Sequence, residues 1–208
     1  MMTYKKNADE IYRESFEIIR TESDLSAFPP GLARVVVRMI HACGMTDLPQ
    51  YVAASPTAIE VGEMALLAGR PIYCDANMVA NGITRSRLPK DNEVICTLND
   101  PRTVELASRF ETTRSAAALE LWGEKLGGSV VVIGNAPTAL FHLLEMLERG
   151  APAPALIIGV PVGFVGAAES KVALETNGLN LPYLTIRGRR GGSAIAAAAV
   201  NALASEEE

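Results

Sequence analysis

Val130-Val-Val-Ile-Gly-Asn-Ala-Pro-Thr138 is the stretch that decides the fold. Four apolar residues in succession, three of them valine, show none of the polar alternation of a half-exposed strand, so they predict a strand buried on both faces, as in parallel sheets. Gly134 then turns the chain, with Asn135 or Ala136 near the N-cap. Pro137 sits where proline is tolerated, in the first turn of the helix that continues through Phe141-His-Leu-Leu-Glu145. The same order of apolar run, small or polar turn and helical pattern recurs at Pro71-Ile-Tyr-Cys74, Val94-Ile-Cys-Thr97, Ala155-Leu-Ile-Ile158 and Tyr183-Leu-Thr-Ile186. Strands alternating with helices predict a doubly wound α/β domain. The expected architecture is a five-stranded parallel sheet in flavodoxin-like order, with helices on both faces and extra N-terminal helices.

The first third of the chain reads differently. Ile11, Ser15, Phe16, Ile18 and Ile19 fall at helical spacing within 7–22, an amphipathic helix outside the repeat. Pro29 and Pro30 introduce a second helix, in which Leu32, Val35, Val36, Met39, Ile40 and Cys43 form one apolar stripe. His41 lies beside that stripe, and Gly44 can end the helix in the left-handed conformation. His41 is thereby expected in the last turn, where unpaired carbonyls favour imidazolium by about 0.3–1 kcal/mol. A histidine biased in this way would hold a proton near neutral pH. A third helix is expected from about Pro56 to Leu67. Residues 1–208 are read as one domain: a mainly helical part to about residue 69, a βα repeat over about 70–203 and an acidic tail at 204–208.

Composition narrows the function classes. The 208 residues carry 24 acidic and 19 basic side chains, a net charge of −5, with no basic run of the kind that marks a nucleic-acid binder. Hydrophobic residues make up 49% and charged residues 21%, which suits a globular core. The three cysteines, Cys43, Cys74 and Cys96, lie in apolar runs without CxxC spacing and read as reduced core residues. No apolar stretch reaches the ~20 residues of a membrane span, and Met1-Met-Thr-Tyr-Lys-Lys-Asn7 lacks a signal peptide's apolar core. The expectation is a cytoplasmic protein that engages no membrane.

In doubly wound sheets the ligand crevice lies beyond the carboxyl ends of the strands. Four glycine-bearing loops fall there, at 75–87, 134–138, 159–166 and 187–193. Helix N-termini and close-approaching glycine backbone favour carboxylate or phosphate groups, and guanidinium forks suit carboxylates. The loops and their flanks offer Thr84, Arg85, Arg87, Arg114, Asn135, Thr138 and Arg187 as candidate contacts. Together they point to a polyanionic small molecule. No loop matches Gly-x-Gly-x-x-Gly or the P-loop, which disfavours nucleotides.

With only two histidines, the chain has no histidine cluster for zinc or haem, and it lacks a Gly-x-Ser-x-Gly elbow. His142, in a leucine-rich helix, reads as structural or surface. Asp75 and Asp100, after strand ends, read as helix caps. Arg114 opens a helix that Thr112 or Thr113 can cap; a cation there opposes the macrodipole, which suggests that an acidic ligand keeps it in place. Lys171 is expected as an exposed helical lysine, and the alanines from Ala194 to Ala199 as plain helix-on-sheet packing.

In their order and extent, several segments closely resemble the precorrin-8X methylmutases, isomerases of cobalamin biosynthesis. They are Ile11-Tyr-Arg-Glu-Ser-Phe16, Arg38-Met-Ile-His-Ala-Cys-Gly44, Cys74-Asp-Ala-Asn-Met-Val-Ala80, Gly82-Ile-Thr-Arg85, Asn92-Glu-Val-Ile-Cys96, Thr113-Arg-Ser-Ala-Ala-Ala118, Ile133-Gly-Asn-Ala-Pro-Thr-Ala139, Pro161 to Lys171 and Arg187 to Ser193. The resemblance implies transfer of the C-11 methyl group of precorrin-8X to C-12, giving hydrogenobyrinic acid, with no cofactor. It places the family's catalytic histidine on His41, as proton donor and acceptor to the macrocycle, and its substrate-contacting serine on Ser15. It also implies a homodimer with sites near the subunit interface, and it accounts for the carboxylate-binding loops. The competing readings are a cobalt-precorrin-8 methylmutase, a corrinoid carrier without chemistry and, on fold analogy alone, a nucleotide-binding module.

Overall fold

The computed structural model describes residues 2 and 4–205. In chain order its elements are α1 (Ala8–Glu22), α2 (Pro30–Cys43), β1 (Val52–Ala54), α3 (Ala58–Leu67), β2 (Ile72–Cys74), α4 (Asn77–Gly82), β3 (Val94–Ile95), α5 (Pro101–Arg109), α6 (Arg114–Ala117), β4 (Val130–Ile133), α7 (Pro137–Glu148), β5 (Leu156–Gly159), α8 (Ala167–Glu175), β6 (Tyr183–Ile186) and α9 (Ser193–Ala204). The part of the expected acidic tail beyond residue 205 lies outside the described residues.

The sheet has six strands in the order β1-β6-β5-β4-β2-β3, and it is mixed, which corrects the expected five-stranded parallel sheet. The five strands read from the sequence are all present and parallel, and numbered among themselves they run 2-1-3-4-5, the flavodoxin-like order. The addition is β1, antiparallel to β6 with Val52 opposite Ile186 and Ala54 opposite Leu184. Its three small or apolar residues have no period of their own. Strand geometry is imposed on them by the β6 edge, and the ladder is extended by Arg187 N–H to the Tyr51 carbonyl (2.7 Å) and Ser55 N–H to the Tyr183 carbonyl (2.9 Å).

Successive strand residues point to opposite faces and build two cores. Ile72, Val130, Val132, Leu156, Ile158 and Leu184 join α2, α3, α4 and α9 on one side. Tyr73, Val131, Ile133 and Ile157 join α7, α8 and Trp122 on the other. Because both faces are covered, every strand residue of β4 and β5 is buried, which is why the runs show no alternation in sequence. α1 lies outside this sandwich and packs on α2 by its buried Phe16 and Ile19.

Lys171 departs from expectation. It is fully buried, because α8 turns it under the β6–α9 turn, where its Nζ donates to the Arg190 carbonyl at 2.6 Å. All three cysteines are free thiols; Cys74 is buried, and burial pushes its thiol well above the ordinary range.

Candidate functional site

α2 ends as its sequence predicts: Gly44 takes φ +69° and donates its N–H to the Ile40 carbonyl at 2.7 Å. His41 is therefore in the last turn, with its side chain exposed while Val37, Met39 and Ile40 are buried. Two rings of α1 close over it. Phe16 stacks on the imidazole at 4.8 Å between centroids with planes 6° apart, and Tyr12 stands 5.3 Å away, tilted by 57°. Arg38, one turn before His41, donates to the Tyr12 hydroxyl, and its guanidinium lies over Phe16 at 5.5 Å.

These neighbours oppose the expected charge preference of His41. Partial burial of the ring, and secondarily the Arg38 cation beside it, hold its pKa below 6.5, so the neutral imidazole dominates at pH 7. The helix-end carbonyls act the other way, favouring the cation by about 0.3–1 kcal/mol.

His41 also lines a cavity of about 280 Å³, together with Arg38, Ala42, Gly82, Ala194, Ala197, Ala198 and Asn201. Small residues make this space. A Cβ on Gly82 would stand 2.7 Å from that of Ala197, so α4 approaches α9 as only glycine allows. Asn201 ties the seam: it donates to the Gly82 carbonyl (3.0 Å) and accepts from the Thr84 N–H (2.8 Å). The sequence gives Asn201 no role, and it reads the alanines as packing alone. Their other use, as the wall of a cavity, would have required knowing that α9 lies beside α2.

The remaining candidates fall into three places. Thr84, Arg85 and Arg87 follow α4 beside the His41 cavity. Arg85 donates to the Ala80 and Ile83 carbonyls, both at 2.9 Å, and the Arg87 charge is felt by Arg38. Ser15, next to Phe16 on α1, donates its hydroxyl to the Ile11 carbonyl at 2.8 Å.

A second group lies beyond β2 and β4, where the strand order reverses. Asp75 is a cap, but of a helix distant in sequence. Its carboxylate accepts N–H groups from Gly134 (2.9 Å), Asn135 (3.0 Å) and Ala136 (2.7 Å), so the anion site at the α7 N-terminus is filled from within the protein. Burial pushes the Asp75 carboxyl above its ordinary value against the pull of those three donors. The Asn135 and Thr138 side chains are exposed, and the Thr138 hydroxyl meets that of Thr113 at 2.8 Å. Thr113 caps α6, and Arg114 reaches the Leu98 carbonyl (3.2 Å) and the Asn99 side-chain oxygen (3.3 Å). Both acceptors are neutral.

Arg187 stands apart. Its guanidinium is paired with Glu175, at 2.9 Å for Nη2, and it borders a different cavity, of about 550 Å³, between the start of α2 and the β1 edge. Although larger, that cavity is lined by Glu60 and Glu63 and by no histidine, a poor match for a polyacid or for proton transfer. His142 is structural: it is buried and joined to Glu120 at 2.7 Å. Asp100 caps α5 through the Arg102 N–H. Among the described residues no helix is long and apolar enough to cross a membrane, and no three His, Cys, Asp or Glu side chains gather as a metal site.

Comparison with known proteins gives a consistent outcome. Residues 10–206 match the family model described as precorrin-8X methylmutase. The chain is 59% identical over its whole length, and that of the relative, to precorrin-8X methylmutase of Pseudomonas aeruginosa. It is 36% identical to cobalt-precorrin-8 methylmutase of Priestia megaterium, over 93% of this chain and 86% of that one. The crystal structure of the precorrin-8X methylmutase from Thermus thermophilus superposes with a TM-score of 0.85 at 40% identity, covering 95% of each chain.

Proposed function

The chain belongs to the precorrin-8X methylmutase family, and from that premise we propose that His41 exchanges a proton with the macrocycle while the C-11 methyl group moves to C-12. The reaction is an isomerisation in cobalamin biosynthesis. Precorrin-8X becomes hydrogenobyrinic acid, one C–C bond breaks and one forms, and no atom is gained or lost. The higher identity to the precorrin-8X than to the cobalt-precorrin-8 methylmutase favours the metal-free substrate.

The observation that carries this reading is the His41 ring, held flat against Phe16 and lining the cavity together with Arg38. A neutral imidazole accepts a proton, and a pKa below 6.5 makes its conjugate acid a better donor when the proton is returned. A substrate carboxylate drawn to Arg38 would offset that cation and favour protonation of His41, leaving burial of the ring as the opposing effect.

Carboxylate binding is assigned first to Arg85 and Arg114, which donate to neutral oxygens and meet no carboxylate among the described residues. Arg87, Thr84, Asn135, Thr138 and Ser15 add donors around them. Arg187 contributes only by leaving Glu175. The active form is proposed to be a homodimer, with Ile11 and Ile18 exposed on α1 as part of its contact. Light scattering tests this by a mass near twice 22.1 kDa.

The decisive experiment mixes wild-type and His41→Ala protein with precorrin-8X and follows the corrin chromophore. Turnover is expected to fall by about 100- to 10,000-fold in the variant while hydrogenobyrinic acid still binds. Equal rates would remove the proton role from His41. Binding without conversion by either protein would make the chain a carrier.

A further inference from the structure

Lys171 is among the largest fully buried side chains of the protein, and it lies away from the His41 cavity. Among the described residues its ammonium has one hydrogen bond, 2.6 Å to the Arg190 carbonyl. Burying a cation against a single neutral acceptor is unfavourable compared with an apolar side chain of the same size. Its pKa, pushed down to about 8 by burial alone, reflects that cost. A group held at such a cost for packing alone has no evident advantage over methionine, so the bond it makes is where its contribution lies.

That bond acts on a junction. The Arg190 guanidinium faces Asp47 at 2.8 Å and lies over the Tyr51 ring at 4.6 Å, both in the connection from α2 to β1. Its backbone leads through Gly191 and Gly192 into α9. Gly192 donates to the Val160 carbonyl at 2.9 Å, and a Cβ on Gly191 would stand 2.1 Å from that same oxygen, so the turn is pressed onto the end of β5 with no slack. Arg190 is thus bonded at its carbonyl from α8 and ion-paired at its side chain, half-exposed, with the α2–β1 connection, and only Gly191 and Gly192 separate it from α9. α2 supplies His41 and Arg38 to the cavity, and α9 supplies Ala194, Ala197, Ala198 and Asn201.

We propose that Lys171 is a positioning residue of the methyl shift: by pinning the Arg190 carbonyl it locks the β6–α9 turn to the α2–β1 connection and fixes the seam between α2 and α9 in which His41 works. The proposal rests on the reading of His41 given above. Displacing α9 against α2 alters the geometry of proton transfer, to which rate is steeply sensitive. It leaves the dispersed carboxylate contacts, and so affinity, largely in place.

The test uses the full-length protein as Lys171→Met, Lys171→Gln, Asp47→Asn and the Lys171→Met/Asp47→Asn double variant. Melting temperature, hydrogenobyrinic acid affinity and stoichiometry, and kcat and KM for precorrin-8X are measured for each. Lys171→Met is expected to melt within about 5 °C of wild type. It should lose about 5- to 50-fold in kcat per product-binding site, with KM and product affinity within about threefold. Lys171→Gln, which restores an N–H donor, should recover part of the loss. Asp47→Asn should lose about 2- to 5-fold, and the double variant should be no slower than Lys171→Met alone, since both act through Arg190. Unchanged kcat in Lys171→Met, a loss confined to KM and affinity, or losses that multiply in the double variant would each overturn the proposal. If Lys171→Met fails to fold, Asp47→Asn decides, and an unaltered kcat there overturns it equally. Absence of the reaction in wild type would strike the His41 reading instead, so the two failures are distinct.

Discussion

The imidazole of His41 lies parallel to the ring of Phe16, 4.8 Å away with 6° between the planes. One face of the histidine is therefore closed by a residue of α1, a helix that contributes nothing to the sheet. The stack fixes the plane in which the ring nitrogens lie, which a proton carrier requires and a flexible last-turn side chain would not provide. α1 is for this reason part of the site and not an appendage.

His41 is expected to titrate below 6.5 in the free protein, and replacing Arg38 by methionine should raise its pKa by removing a neighbouring cation. The chain has two histidines, so NMR resolves it readily from His142. The sign for stability follows. The unfolded chain binds the His41 proton at higher pH than the folded one, so stability rises with pH through the window just below 6.5 and is lost as pH falls through it. The acid limb of kcat/KM should fall in the same window. A value above 6.5 in the free protein would mean that the helix-end carbonyls dominate after all.

Five strands were legible because they write continuous apolar runs, and glycine and proline mark where each run ends; their order was not, since no run says which strand lies beside it, and the flavodoxin-like order came by analogy with other doubly wound sheets. β1 was not legible either, since Val52-Ala-Ala54 becomes a strand only by pairing with β6. His41 and its last-turn position follow from Gly44 alone. Its protonation preference does not, because Phe16 and Tyr12 bury the ring by packing between two helices that no local pattern relates. The same holds for Asp75, which reads as a cap but serves a helix about 60 residues later, and for Lys171, whose polar spacing suits an exposed face equally well.

Asp75→Asn should loosen the crevice. The carboxylate accepts three N–H groups on two oxygens, whereas an amide presents an NH2 where one oxygen was, leaving at least one N–H buried against a donor. The expected cost is about 1–3 kcal/mol for each unsatisfied group, read by urea denaturation, with faster amide exchange at Gly134 to Ala136. Unaltered stability and exchange would show that the turn holds its shape without the cap.

Gly191→Ala should be among the most damaging small substitutions. The added methyl would lie 2.1 Å from the Val160 carbonyl oxygen and 2.8 Å from that of Pro161, and both are backbone atoms that cannot rotate aside. The turn must lift from the end of β5, at a cost of about 1–3 kcal/mol or more, as for other overpacked sites. Activity should fall with it, because the start of α9 moves. A variant as stable and active as wild type would mean that the turn has room the contacts deny.

The pH dependence of stability offers a separate view of Lys171. Its amine titrates at about 8 when folded and near 10.5 when exposed, so between those values the unfolded chain binds the extra proton and stability rises with pH. Tyrosines and cysteines titrate in the same range, so the informative quantity is the difference between wild type and Lys171→Met. Measured by urea denaturation at pH 7.5 and again at pH 10, wild type should gain stability relative to the variant. A difference that stays flat would show that the ammonium is solvated or paired in solution, and that its burial against the Arg190 carbonyl is not maintained.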